Sequence, residues 1–123
     1  MAFAASEQLV AGMEGQLGRR LPEDLRQRLM RDNGGEVQAA GEEWALYPVW
    51  DPTDRKTIGR TANHIARENE ALRRDAPGAL PPGYLAVADN GGGDLLVIAP
   101  GEDAIQLWDH ETGDITAADV SWT

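Results

Sequence analysis

Four short apolar runs, separated by turn sequences, constrain the fold more than any other feature of the chain. They cover Leu85–Ala88, Leu95–Ala99, Ala104–Trp108 and Ile115–Ala117. The separators are rich in Gly, Asp and Pro, which is typical of antiparallel hairpins. We therefore predict that the turns at Asp89–Asp94 and Asp109–Asp114 join neighbouring strands. Because Leu95–Ile98 is apolar on both strand faces, it should be a central strand covered on both sides.

Two helices are predicted near the start of the chain. Ser6 can cap the first helix, which ends at Gly18 and carries apolar residues at Leu9, Val10, Met13 and Leu17. The second helix is predicted to have Pro22 at its first position and to end at Asn33–Gly35. Its buried stripe should consist of Leu25 and Leu29.

The middle of the chain predicts one strand and one further helix. The strand is Trp44–Val49, and Pro48 should place its end at an edge or a bulge. The helix is predicted from positions that share one helical face, namely Ile58, Ala62, Ile65, Asn69 and Leu72. Helices followed by hairpins indicate an α+β fold. We predict a single domain over residues 1–123, with a mixed or antiparallel sheet packed by N-terminal and central helices.

Composition excludes several classes of protein. The 123 residues contain no Cys, which rules out a disulfide scaffold, a zinc ribbon, an iron–sulfur site and a thiol nucleophile. The first residues have no basic region typical of a secretory signal, and no run approaches the ~18 apolar residues of a membrane span. We expect a cytoplasmic protein without a membrane partner. A net charge of −10 argues against direct binding to nucleic acid.

The charge is distributed unevenly along the chain. All 11 basic residues lie in the first 74 positions, together with 12 acidic residues. Residues 75–123 hold nine acidic residues and no Lys or Arg. Such a half would attract a basic partner and speed its association, although a solvated surface that aids solubility explains it equally well.

The glycine-rich turn at Asp89–Asp94 is a candidate phosphate or calcium loop. A phosphate loop needs a Lys and a following helix, and neither is present. A calcium loop needs oxygen ligands at alternating positions, and only Asp89, Asn90 and Asp94 qualify. We predict instead a hairpin turn whose glycines supply positive φ angles, without a metal or another cofactor.

Two histidines stand near carboxylates. His110 lies between Asp109 and Glu111, but adjacent residues of one turn rarely converge on one substrate atom, and no Ser or Cys nucleophile has a motif context. His64 and Glu68 are one helical turn apart and without a third ligand, so a surface pair is the simpler interpretation. We predict no catalytic residue.

The four tryptophans are candidates for the core or for a partner interface. Trp108 either packs over the core or offers an exposed anchor, and we favour the core. Trp44, Trp50 and Trp122 are most simply interpreted as packing residues.

Three segments in series resemble the SUKH superfamily, the Smi/Knr-type family of cell-wall-assembly regulators and bacterial toxin-immunity proteins. They are Leu21–Gly35, which has the family's LP…NGG form, Leu85–Ile98 and Ile105–Glu111. Order and spacing agree over about residues 6–117, and Gly41–Pro82 departs most from the pattern. The matched residues, which the resemblance implies are mostly structural, include Leu21, Pro22, Asn33, Gly34, Gly35, Asp89, Gly91, Gly92, Gly93 and Trp108.

The resemblance implies an α+β fold without catalysis, and for many bacterial members the binding of a toxin, often a nuclease or deaminase. Our first hypothesis is an immunity protein that occludes a basic toxin. Its candidate partner-binding residues lie at and beyond the sheet's turns: Asp94, Asp109, His110, Glu111 and Asp114. A regulatory scaffold in cell-wall or signalling assembly would use the same fold. The third hypothesis, from another class, is an enzyme or small-ligand binder centred on Asp89, Asp94, Asp109 and His110.

Overall fold

A computed structural model describes residues 4–122 as four helices and one seven-stranded sheet. The helices are α1 (Glu7–Leu17), α2 (Glu23–Arg31), α3 (Arg55–Arg60) and α4 (Ile65–Asp75). The strands are β1 (Glu36–Ala39), β2 (Glu42–Leu46), β3 (Leu85–Asp89), β4 (Leu95–Ile98), β5 (Ile105–Trp108), β6 (Ile115–Ala117) and β7 (Val120–Ser121). The predicted α+β class is confirmed.

The sheet is antiparallel throughout and curls on itself. Its strand order is β6-β5-β4-β3-β2-β1-β7, so β6 and β7 lie at opposite edges. Only Ala118 and Asp119 separate these two strands in sequence. Since consecutive Cα atoms are about 3.8 Å apart, three steps bring the edges within roughly 11 Å of each other. The edges of a flat seven-stranded sheet would lie much farther apart than this, so the short connection requires the sheet to curl.

The predicted hairpins are confirmed. The Asp89–Asp94 turn joins β3 to β4, and the Asp109–Asp114 turn joins β5 to β6. All four residues of β4 are buried, as its two apolar faces predicted. Trp108 keeps 8% of its surface exposed and belongs to the core.

The helix α1 begins and ends where its capping residues predict, whereas α2 begins one residue later than predicted. The Ser6 hydroxyl accepts a hydrogen bond from the Leu9 N–H at 3.2 Å, and Gly18 ends α1 with φ +73°. Pro22 precedes the first residue of α2 instead of occupying it. Val10 and Met13 are buried on α1, and Leu25 and Leu29 are buried on α2.

The asparagine of the LP…NGG stretch joins the end of α2 to the chain beyond β2. Asn33 Nδ2 donates to the Val49 carbonyl at 2.8 Å, and Asn33 Oδ1 accepts from the Val49 N–H at 2.8 Å. Gly34 and Gly35 follow with φ +99° and +78°, and the Gly35 carbonyl accepts from the Leu46 N–H. This stretch therefore determines how α2 meets the sheet.

The prediction of one continuous helix from Ile58 to Leu72 is wrong, because the helix is interrupted between α3 and α4. The Thr61 hydroxyl donates to the Thr57 carbonyl at 2.6 Å and accepts from the Asp51 N–H at 2.9 Å. His64 then adopts an extended conformation and caps α4 with its ring. Local capping outweighs the apolar spacing, and Ile58 is 43% exposed instead of sharing the buried face.

Two strands, β1 and β7, were not predicted, and β2 lies at Glu42–Leu46 instead of the predicted Trp44–Val49. β1 is short, and its hairpin to β2 turns through Ala40 and Gly41 with φ +52° and +78°, so no Asn-Gly signal marks it. β2 ends at Leu46, and Pro48 lies buried beyond it. β7 is only two residues long and depends on β1 for its pairing.

The remaining tryptophans divide between core and surface. Trp44 is fully buried, and its Nε1–H donates to the Ala39 carbonyl at 2.9 Å. Trp122 is half-buried against the core. The prediction that Trp50 is a packing residue is wrong, because this side chain is 45% exposed. Its ring lies near that of His64, with centroids 6.0 Å apart.

Candidate partner-binding site

The candidate partner-binding residues lie together at one end of the sheet. The antiparallel pairing of β3, β4 and β5 brings the β3–β4 and β5–β6 turns to the same end. We call this set the acidic corner: Asp94, Asp109, His110, Glu111 and Asp114.

His110 and Asp94 connect the two turns. His110 Nδ1 lies 2.7 Å from Asp94 Oδ1, and the same oxygen accepts the His110 backbone N–H at 3.1 Å. The imidazole packs directly on Gly93, which has φ +108°, and a Cβ there would lie 3.0 Å from the ring. Gly93 is thus needed for both its backbone conformation and the close approach of the ring.

Asp109 organises its own turn, whereas two neighbouring carboxylates remain available. Asp109 Oδ1 accepts the backbone N–H groups of Glu111 at 2.8 Å and Thr112 at 3.3 Å. The Glu111 and Asp114 side chains are exposed, and their carboxylates accept no hydrogen bond from the described residues. These two groups can face a partner without a change in the fold.

In the β3–β4 turn, the side-chain oxygens of Asp89 and Asn90 bind the turn itself. Asp89 Oδ1 accepts the Gly91 N–H at 3.0 Å, and Asn90 Oδ1 accepts the N–H groups of Gly92 and Asp94. Asn90 Nδ2 also reaches Glu42 at 3.1 Å. The Asp89 and Asn90 Oδ1 atoms thus accept from backbone donors, as in a hydrogen-bonded hairpin.

Three ligand-type atoms of the acidic corner come within 4.8 Å of one another, from Asp94, Asp109 and His110. A cation there would compete with the hydrogen bond between Asp94 and His110 and with the backbone donors on Asp109. Exposed carboxylates with such neighbours are common without a metal, so this cluster alone does not indicate a metal site.

Three clefts of the described residues lie elsewhere. Three have volumes of about 440, 410 and 270 Å³, and none of these three is lined by Asp89, Asp94, Asp109 or His110. Small-molecule sites are usually concave and enclose their ligand. These three clefts therefore give no support to a small-ligand or enzyme site at Asp89, Asp94, Asp109 and His110.

The sequence profile of the SMI1 / KNR4 family (SUKH-1) matches residues 4–122. The chain belongs to this family. A search of curated proteins gives no match. Among residues 4–122, no helix has the length and apolar character that crossing a membrane requires.

In this SUKH-1 domain, the acidic surface extends beyond the residues predicted from the sequence. Glu36 and Glu43 lie on the exposed side of the β1–β2 hairpin, and the pKa of Glu36 is raised by its hydrogen bond with Glu43 and by the repulsion between their charges. Glu42 touches the β3–β4 turn through Asn90. Sequence analysis missed them because the β1–β2 hairpin was not predicted.

The two histidines of the domain should titrate at different pH values. The hydrogen bond with Asp94 raises the pKa of His110, whereas burial, aided by Arg67, lowers the pKa of His64. We expect NMR titration of the imidazole carbons to give a higher midpoint for His110 than for His64. Asp94→Asn should lower the His110 midpoint and leave that of His64 unchanged.

The contact between His110 and Asp94 also makes the stability of the fold depend on pH. The raised His110 pKa stabilises the fold below the unfolded pKa of about 6.5, and this contribution is lost as pH rises through the folded pKa. The Asp94 pKa is lowered chiefly by His110, so its contribution is present above the unfolded value of 3.8 and is lost as pH falls through the folded value. Equal NMR titration midpoints for His110 and His64 would contradict the pairing of His110 with Asp94.

Proposed function

We propose that this SUKH-1 domain is a non-catalytic immunity protein that neutralises a bacterial toxin in the cytoplasm by binding it. The observation that carries the proposal is the acidic corner, where carboxylates from two turns converge in a half of the chain without Lys or Arg. Membership of the family supports an immunity or cell-wall regulatory role without catalysis.

A toxin domain of the nuclease or deaminase type is the partner that the charge favours. Enzymes that act on nucleic acids carry basic surfaces to bind phosphates, and the acidic corner is complementary to such a surface. The same negative charge repels nucleic acid, so the protein itself should not bind it directly. No cofactor is needed for inhibition by occlusion.

The acidic corner should act mainly on the rate of association. Glu111 and Asp114 are exposed, so their charges are screened within about 10 Å at 0.1 M salt. Charges at the rim of an interface typically steer the encounter, whereas well-packed contacts control dissociation. A specific complex should bury roughly 1,600 Å² in total, much more than the corner alone supplies.

The test is a triple variant, Asp109→Asn with Glu111→Gln and Asp114→Asn, measured by stopped-flow association with the toxin encoded beside this protein's gene. Asn at position 109 keeps the oxygen that accepts the turn's N–H groups. We expect association at low salt to slow by roughly tenfold, with a shallower salt dependence and little change in dissociation.

The matched control removes the same charge from the other end of the sheet, by Glu102→Gln, Asp103→Asn and Asp119→Asn. These residues are exposed and lie in the β4–β5 and β6–β7 connections. Equal slowing by both triple variants would assign the effect to net charge instead of the corner. If the neighbouring gene encodes no toxin that this protein binds, the immunity role fails and the regulatory scaffold becomes the better hypothesis.

A further inference from the structure

The largest of the three clefts, with a volume of about 440 Å³, lies at the end of the sheet opposite the acidic corner. It is formed by the end of α1, one side of α4 and the segment 78–85 that leads into β3. Its volume falls in the range of small-ligand sites, roughly 300–1,000 Å³. The function proposed above does not use it.

Much of the cleft lining is apolar and held in place by the fold. Leu17, Leu72 and Leu80 pack against the core, and Leu85 is buried at the start of β3. Pro81 and Pro82 restrict the backbone on one wall. A cleft with restricted walls loses little conformational freedom when a ligand enters, which favours binding.

Arg19, one of the lining residues, has a buried N–H group without an acceptor. Its Nη1 and Nη2 donate to the backbone carbonyls of Ala99 at 3.1 Å and Glu102 at 2.9 Å. These bonds hold the guanidinium in place, yet Nε is buried and has no hydrogen-bond partner within the described residues. Buried donors are rarely left unsatisfied, because the loss of hydration is not repaid.

Two further donors line the same cleft without a protein partner. Neither the Arg73 guanidinium nor the Tyr84 hydroxyl makes a hydrogen bond or ion pair with the described residues. The next residue on α4, Arg74, instead pairs with Asp75 at 3.1 Å. Glu70 is the acidic residue of the lining, so its two arginines leave one excess positive charge on a chain of net charge −10.

We propose that this cleft binds an organic carboxylate with an apolar body. Arg73 would hold the carboxylate, since its guanidinium offers paired donors that match the two oxygens. Arg19, whose Nη groups already bind the Ala99 and Glu102 carbonyls, would add positive charge nearby. The apolar body would lie on the leucines of the lining, where burial of its surface adds to the affinity. This chemistry is shared by a free small carboxylic acid and by the C-terminal residue of a peptide.

The test follows the Arg Nε–H signals of the full chain by ¹⁵N–¹H NMR during titration to roughly 10 mM ligand. The probes are octanoate, the tripeptide acetyl-Leu-Leu-Leu with a free carboxylate, and the same tripeptide as its C-terminal amide. We expect an acid to shift the Arg73 Nε–H signal and the backbone amides of the segment 78–85. A shift with octanoate alone identifies a free acid as the ligand class, and a shift with the peptide acid alone identifies a peptide terminus. Binding of the amide as tight as that of the acid, or no shift with either acid, overturns the proposal.

Three single variants separate the cleft from general charge effects. Arg73→Gln should weaken binding about tenfold or more, the usual effect of a lost charged hydrogen bond. Arg74→Gln removes the same charge one residue away, outside the cleft lining, and should change the affinity by less than about twofold. Glu70→Gln should tighten binding. Equal effects of the two arginine variants would overturn the assignment, and all three positions are exposed, so the fold should tolerate them.

Discussion

Glu14→Ala is expected to lower the free energy of unfolding by roughly 3–5 kcal/mol, the usual cost of leaving one member of a buried ion pair alone. Glu14 Oε2 lies 3.0 Å from Arg26 Nε, and the two side chains are only 11% and 7% exposed. The same oxygen accepts the Leu21 N–H at 2.7 Å. The hydrogen bond with Glu14 is the main reason that the pKa of Arg26 is raised. An Arg side chain is charged at neutral pH even without such a partner, so Glu14→Ala leaves the charge of Arg26 in place.

Urea unfolding of three further variants would test the cause of this loss. Glu14→Gln keeps an acceptor for both donors and should cost less than Glu14→Ala. Glu14→Leu combined with Arg26→Leu removes both charges and should recover much of the stability, because apolar residues can replace a buried ion pair. A loss below about 1 kcal/mol for Glu14→Ala would mean that water or Glu23, whose carboxylate lies 4.0 Å from Arg26, replaces Glu14.

Asn69→Ala should destabilise the fold by roughly 2–5 kcal/mol, because it leaves two buried backbone groups without partners. Asn69 is 2% exposed. Its Nδ2 donates to the Ala86 carbonyl at 2.8 Å, and its Oδ1 accepts the Ala86 N–H at 2.7 Å. The side chain thus pairs with β3 at a position where β2 does not, since the β2–β3 pairing includes only Ala88 and Asp89 of β3.

Two comparisons make this expectation specific. Asn33→Ala removes an equivalent pair of bonds to Val49, but Asn33 is only half-buried, so water can replace part of the loss and the cost should be smaller. Asn69→Asp keeps the acceptor but opposes a carboxylate to the Ala86 carbonyl. It should therefore be less destabilising at acid pH, relative to the parent at the same pH, where a protonated Asp can donate. Equal stability of Asn69→Ala and the parent would show that β3 does not need this side chain.

Elements with local signals could be predicted from the sequence. The hairpins around Gly91 and Gly113 were predicted because both need positive φ angles, which Gly adopts readily, between runs of alternating apolar residues. Ser6 and Gly18 marked both ends of α1. The break between α3 and α4 was missed, because Thr61 acts through Asp51, ten residues away, and His64 is an uncommon capping residue.

The candidate sites also combine features that the local sequence indicates with features that depend on distant residues. The excess of acidic residues in residues 75–123 is visible in the composition, and the predicted turns already indicate where Asp94 and Asp109 stand. The contact between Asp94 and His110 is not visible, because it joins two turns that are 16 residues apart. Arg19 gives no sequence signal at all, since its partners Ala99 and Glu102 are about 80 residues away and are bound through their carbonyls.

The sequence by itself determined the class of the fold, the hairpin positions and the acidic character of the second half, since each depends on neighbouring residues or on composition. Only the tertiary structure decided that the sheet curls, that Asn33 and Asn69 complete backbone pairing, and that a cleft with unpaired donors lies opposite the acidic corner. Each of these depends on contacts between residues far apart in the chain. Every residue except Pro has the same backbone donor and acceptor, so the amino-acid sequence does not directly show which distant backbone groups will pair.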